Sequence, residues 1–116
     1  KLTVFHASPD YPMPVYAEGV SVEMISRREY TKRAKEDAQK VLDRVTAKAA
    51  VAGVDVTGVH AIAASPWEAI LMCAKKSKCD AIVMASHGRR GLAGLLLGSE
   101  TTKVLTHSKL PVLVVR

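Results

Sequence analysis

Two pieces decide how this chain reads: Asp80-Ala81-Ile82-Val83-Met84-Ala85-Ser86-His87-Gly88-Arg89-Arg90-Gly91 and, after Leu92-Ala93-Gly94-Leu95-Leu96-Leu97, the pair Gly98-Ser99. Asp80 to Met84 is a continuous apolar run, the pattern of a strand buried on both faces. It runs into a glycine-punctuated loop with two arginines. The spacing predicts a helical turn from Leu92 to Leu97, then a helix capped by Ser99 and running to about His107. Nine residues separate Gly88 from Gly98. A strand, a small-residue loop and a helix start can together cradle an anion. Glycines let the backbone approach closely, and the first N–H groups of the helix point at the ligand. Ser99 can bond a phosphate oxygen or cap its own helix, while Arg89 and Arg90 neutralise charge at the rim. The same residues also fit plain turn and cap geometry, so the spacing alone leaves both readings open.

Upstream, the chain alternates strand and helix. Leu2 to His6 is a short β-rich run that stops at the turn cluster Ala7-Ser8-Pro9-Asp10. Tyr11 to Gly19, with Pro12 and Pro14, reads as loop. Two helix starts follow, Ser21 and the capping box Ser26-Arg27-Arg28-Glu29. Ala34, Ala38, Val41, Leu42, Val45 and Ala49 make one helical stripe, and Gly53 ends it. Val54 to Ala63 reads as a strand. Ser65-Pro66-Trp67-Glu68 opens the next helix with Ser at the N-cap, Pro at the first position and Glu at the third. That helix turns Ile70, Leu71 and Ala74 inward and closes on Lys75, Lys76 and Lys78, which suit its negative end. Pro111 to Val115 is the final strand. The order predicts an α/β fold: a three-layer sandwich with a mostly parallel sheet and helices on both faces. Ligands of such sheets lie outside the carboxyl ends of strands, here His6-Ala7-Ser8-Pro9 and Met84 to Gly88.

The length, 116 residues with 48% hydrophobic and 24% charged, suits a single domain over 1–116 and excludes disorder. No apolar run reaches bilayer length and no leader opens the chain, which predicts a cytoplasmic protein. The net charge of +6 invites a nucleic-acid reading. From Arg27 to Lys48, however, eight bases stand among four acids at helical spacing, the pattern of a solvated mixed-sign face. Five aromatic residues give little to stack bases on, so nucleic acid is not the expected partner. Cys73 and Cys79 lack metal-ligand spacing and read as reduced and structural.

The run Ala85-Ser86-His87-Gly88-Arg89-Arg90-Gly91-Leu92, continued by Leu96-Leu97-Gly98-Ser99, Lys103-Val104-Leu105 and Pro111 to Val115, resembles the closing segment of the universal stress protein family. The resemblance extends over almost the whole chain. It implies an adenine-nucleotide α-hydrolase-like fold. Its nucleotide-binding members carry Gly, two residues, Gly, nine residues, then Gly-Ser or Gly-Thr. Here Gly88 and Gly98-Ser99 match, and Ala85 replaces the first glycine. By resemblance, Ala7 and Met84 line the adenine side, and Gly88, Arg89, Gly98, Ser99 and Thr101 the phosphate side. Ala85, Ser86, His87, Arg90 and Glu100 complete the candidate cofactor site. Without an acidic neighbour in sequence, His87 reads as ordering the loop, while Glu100 in the first helical turn would repel a phosphate.

The family also has a central strand and a helix upstream of the position of Lys1, which carries no initiator Met. The expectation is that the biological protein contains them or that a partner chain donates the strand. The implied function is a cytoplasmic stress-response regulator that binds ATP or a related adenine nucleotide with Mg2+. The implied partner is a second copy, joined through Pro111 to Val115. Two alternatives are a nucleotide-free dimeric interaction module with a degenerate site and a slow ATP hydrolase. The latter lacks an evident base, nucleophile elbow, Walker lysine or metal-ligand cluster in the sequence.

Overall fold

The structure is a computed structural model and describes residues 1–12, 25–87 and 97–116. They fall into two compact units, Lys1–Ala64 and Ser65–Arg116. Each is a parallel strand pair, with one described helix in the first unit and two in the second, as the α/β reading requires.

In the first unit, β1 (Leu2–Ser8) pairs in parallel with β2 (Val56–Ile62), from Leu2 opposite Val56 to Ser8 opposite Ile62. The crossover between them is α1 (Arg27–Val51). Of the two predicted starts, Ser26 is the N-cap: its Oγ accepts the Glu29 N–H at 3.1 Å. Ser21 lies outside the described residues. The stripe faces inward, with Ala38 and Leu42 buried and Ala34, Val41, Val45 and Ala49 half-buried. Leu42 lies over Gly58, where an added Cβ would stand in ordinary contact, 3.4 Å from its Cδ1. The helix closes on Gly53 at φ 70°, whose N–H donates to the Ala50 carbonyl, while the Val54 N–H donates to Ala49. That pair is a left-handed helix closure. It occupies Val54, which explains why β2 begins at Val56 rather than at the predicted Val54.

The other end of α1 is pinned to the end of β1. The Tyr30 hydroxyl donates to the Pro9 carbonyl and the Tyr11 hydroxyl to the Ile25 carbonyl, each at 2.7 Å. The outer face carries the expected mixed charge, with Glu29–Arg33 and Asp37–Lys40 pairs. Beneath α1, His6 and His60 sit opposite each other with ring centroids 6.1 Å apart, and His60 Nε2 shares a hydrogen bond with Ser8 Oγ at 2.9 Å. Burial, then the neighbouring His6 and Lys35, hold the His60 imidazolium below its usual range.

In the second unit, β3 (Ile82–Ala85) pairs in parallel with β4 (Val112–Val115), Ile82 opposite Val112 and Ala85 opposite Val115. Pro111, predicted as the first strand residue, lies just before it and accepts the Ile82 N–H with its carbonyl. The helices α2 (Pro66–Lys76) and α3 (Ser99–His107) close over one side of this pair. Ala74, Ile82 and Val104 form the buried centre, with Trp67, Ile70, Leu71, Met84 and Val112 packed around it. Val83 is 65% exposed and Leu113 opposite it 61%, both helices of this unit packing on the Ile82–Met84 side. Among the described residues, no helix is long and apolar enough to cross a membrane.

Candidate functional site

The site builds upward from the end of β3. Ser86 follows the strand, with its N–H on the Val115 carbonyl, and is buried. Its carbonyl accepts the Gly98 N–H at 2.7 Å. The backbones approach so closely there that a Cβ on Gly98 would stand 3.2 Å from the Ser86 oxygen and 3.5 Å from His87 Cα. Thr101, only 3% exposed, donates its hydroxyl to the Ala85 carbonyl at 3.0 Å and lies 3.4 Å from that of Ser86. These contacts strap the first turn of α3 onto the carboxyl end of β3.

Gly98, rather than the predicted Ser99, is the N-cap of α3. It has no side chain to cap with, and its extended backbone places Ser99 at the first helical position. The first intrahelical bond is Thr102 N–H to Gly98 carbonyl. Among the described residues, the N–H groups of Ser99, Glu100 and Thr101 therefore have no acceptor. Three parallel donors at the positive end of a helix favour an oxyanion. A fourth polar group lies close in sequence. Ser86 Oγ meets His87 Nδ1 at 2.9 Å, and His87 Nε2 is buried with no hydrogen-bond partner among the described residues. Either atom of that pair can be the donor, so Nε2 is left as a donor or an acceptor according to the tautomer.

Glu100 departs from expectation. Instead of facing a bound anion, its carboxylate reaches α2. Oε2 accepts the Trp67 N–H at 2.9 Å and Oε1 pairs with Lys103 at 3.1 Å. Ser65 is the N-cap of α2, as predicted, but makes no side-chain bond. Proline at the first position leaves Trp67 as the first free donor of α2, and Glu100 answers it from 33 residues away. No local pattern could have shown this. Trp67 also stacks its ring on His107 at 4.6 Å.

The remaining predicted residues divide as follows. Ala85 lies in β3, and Lys78 is the only non-glycine residue with positive φ among those described, so alanine in place of the family's glycine carries no backbone strain. Met84 packs its side chain against the core, leaving only its backbone for a ligand. Ala7 belongs to the first unit, paired with Ala61. Gly88, Arg89, Arg90 and the predicted turn from Leu92 lie outside the described residues, with Leu97 just after them. Among the described residues, no three His, Cys, Asp or Glu side chains gather as metal ligands.

A cavity of about 790 Å3 opens over the first turns of α1, lined by Ser26, Thr31 and the cations Arg27, Arg28, Lys32 and Lys35, with Glu29 beside them. Here the helix start is already capped by Ser26, and Arg27 lies 5.2 Å over the Tyr11 ring.

The comparison with known proteins bears on the uncapped helix. The model of the universal stress protein family matches residues 1–116. The chain belongs to the universal stress protein family. Universal stress protein MJ0531 of Methanocaldococcus jannaschii is 36% identical over 113 residues, 97% of this chain and 61% of that protein. A universal stress protein of Thermus aquaticus is 37% identical over 116 residues, all of this chain and 77% of that one. The chain therefore spans about three fifths of the first relative and three quarters of the second. The solved structure of MJ0577 matches with a TM-score of 0.71 and 31% identity over 77% of this chain and 61% of that one. The universal stress protein fold is thus the setting of the strapped α3 terminus.

Proposed function

We propose that this universal stress protein binds an adenine nucleotide, ATP or a close relative with Mg2+, and that occupancy regulates its interaction with a partner in a stress response. One observation carries the reading: α3 begins with three N–H donors unanswered among the described residues, held against the end of β3 where Gly98-Ser99 matches the family's nucleotide motif. Phosphate oxygens are the acceptors these donors suit. His87 Nε2, buried and without a partner among the described residues, adds a donor for the same ligand in the tautomer that carries its hydrogen there. Ser99, exposed at the first position, adds a hydroxyl, and Gly88, Arg89 and Arg90 complete the phosphate side. Ala85, Ser86 and Thr101 act through the backbone they hold, while the Met84 backbone serves the adenine side. The ligand supplies its own phosphoanhydride chemistry; the described residues bind and orient it.

The working form is a homodimer joined through the strand Pro111 to Val115. The exposure of Leu113 and Val115 supports this, since an apolar strand with an open face is a ready docking surface. A nucleotide-free module is the second reading, favoured by the methyl of Ala85 at the closest approach. Calorimetric titration with Mg-ATP, alongside a thermal shift, separates the two. Saturable binding lost in Gly98→Val supports the nucleotide site. Absence of heat with a clean dimer by light scattering supports the nucleotide-free module.

A further inference from the structure

Glu100 sits in the turn whose N–H groups have no acceptor among the described residues, where a carboxylate should repel an anionic ligand. Its neighbours give it another task. Oε2 holds the Trp67 N–H at 2.9 Å and Oε1 holds Lys103 at 3.1 Å, so both oxygens are engaged and the charge is countered. Pro66 offers no N–H and Ser65 does not cap, so Glu100 serves the first donor of α2. Seven residues on, two turns along the same face of α3, His107 stacks on the Trp67 ring. Between them Val104 is fully buried. The first turn of α2 thus grips α3 at both ends, and the grip at the ligand end is Glu100.

We propose that Glu100 is a positioning residue of the anion site: by capping α2 it fixes the first turn of α3 so that the N–H groups of Ser99, Glu100 and Thr101 stay presented to the phosphates. This rests on the nucleotide reading above. It also reverses the sign expected from charge alone. If repulsion governed, any loss of the carboxylate would tighten binding. If positioning governs, the acceptor on Trp67 N–H matters more than the charge. Glu100→Gln keeps an acceptor, whereas Glu100→Ala leaves the donor bare.

The test is Mg-ATP affinity by calorimetry for the full chain and both variants, with emission from Trp67, the only tryptophan, followed during titration. Glu100→Ala is expected to weaken binding about five-fold, the scale of one lost hydrogen bond, with Glu100→Gln within about two-fold of the parent. Nucleotide is expected to change Trp67 emission in the parent, and this readout stands even if Glu100→Ala fails to fold. Tighter or unchanged binding in Glu100→Ala overturns the proposal, as does a parent that binds nucleotide with unchanged emission. A parent that binds no nucleotide overturns the underlying reading first, and the positioning role with it.

Discussion

The starts of α2 and α3 lie in one compact unit, yet they are finished in opposite ways. The first donor of α2 is answered from across the unit by Glu100, with Trp67 and His107 stacked beside it. The first three donors of α3 have no acceptor among the described residues, although the turn is strapped down by Gly98 and Thr101. A helix start left open merely for want of a cap would be expected to fray. This one is fixed in place and, among the described residues, has no acceptor. That combination suits the anion site proposed above, because an unmet donor costs stability unless water or a partner meets it. The third helix sharpens the contrast, since α1 uses its own Ser26 in the ordinary local way.

The largest effect expected from breaking the contrast is at Gly98. A valine there pushes against the Ser86 carbonyl, already 3.2 Å from a Cβ. The cost should be about 1–3 kcal/mol in denaturant unfolding, by the usual scale of overpacking, with loss of the nucleotide-induced thermal shift. Next comes a paired test of caps. Ser26→Ala should cost about 1 kcal/mol of stability and leave nucleotide affinity alone. Ser99→Ala should stay within about 0.5 kcal/mol in stability and weaken affinity instead. Equal behaviour of the two serines would erase the distinction between a closed and an open helix start.

The helix ends extend the comparison. Both α1 and α2 close through a left-handed residue, but α1 uses Gly53 at φ 70° and α2 uses Lys78 at φ 52°. Cys79 and Lys78 N–H groups donate to Ala74 and Lys75, completing the same pair of bonds as at Gly53. Lys78→Gly should therefore stabilise the protein by about 0.5–1 kcal/mol, read from the midpoint of urea unfolding.

The smallest expected effect is a pH response of the first unit. Burial, His6 and Lys35 disfavour the charged form of His60 in the folded state. The unfolded chain thus takes up the proton first as pH falls. Stability contributed by neutral His60 is complete above the usual value of 6.5 and declines as pH drops through it. His60→Gln, which retains a polar partner for Ser8, should flatten that decline.

The legible parts of the molecule are those set by local pattern. The stripe from Ala34 to Ala49, the Ser26 cap, the Gly53 stop and the strand–helix alternation all follow from neighbours within a turn or two. The illegible parts depend on residues distant in sequence. Glu100 could be placed in the first turn of its own helix, but its partner Trp67 is 33 positions earlier. Ser99 looked like the cap because serine caps well. Gly98 takes that place where a Cβ would crowd the Ser86 carbonyl at 3.2 Å. Val83 belongs to an apolar run, and an apolar run does not tell which face a helix will choose.

The central claim is that the open start of α3 receives the anionic part of a nucleotide. Amide chemical shifts during Mg-ATP titration of the 15N-labelled protein test it directly. The amides of Ser99, Glu100 and Thr101 should move most and saturate together, while that of Glu29, already on Ser26, stays still. Saturable binding that moves the Glu29 amide and leaves those three unmoved would contradict the claim.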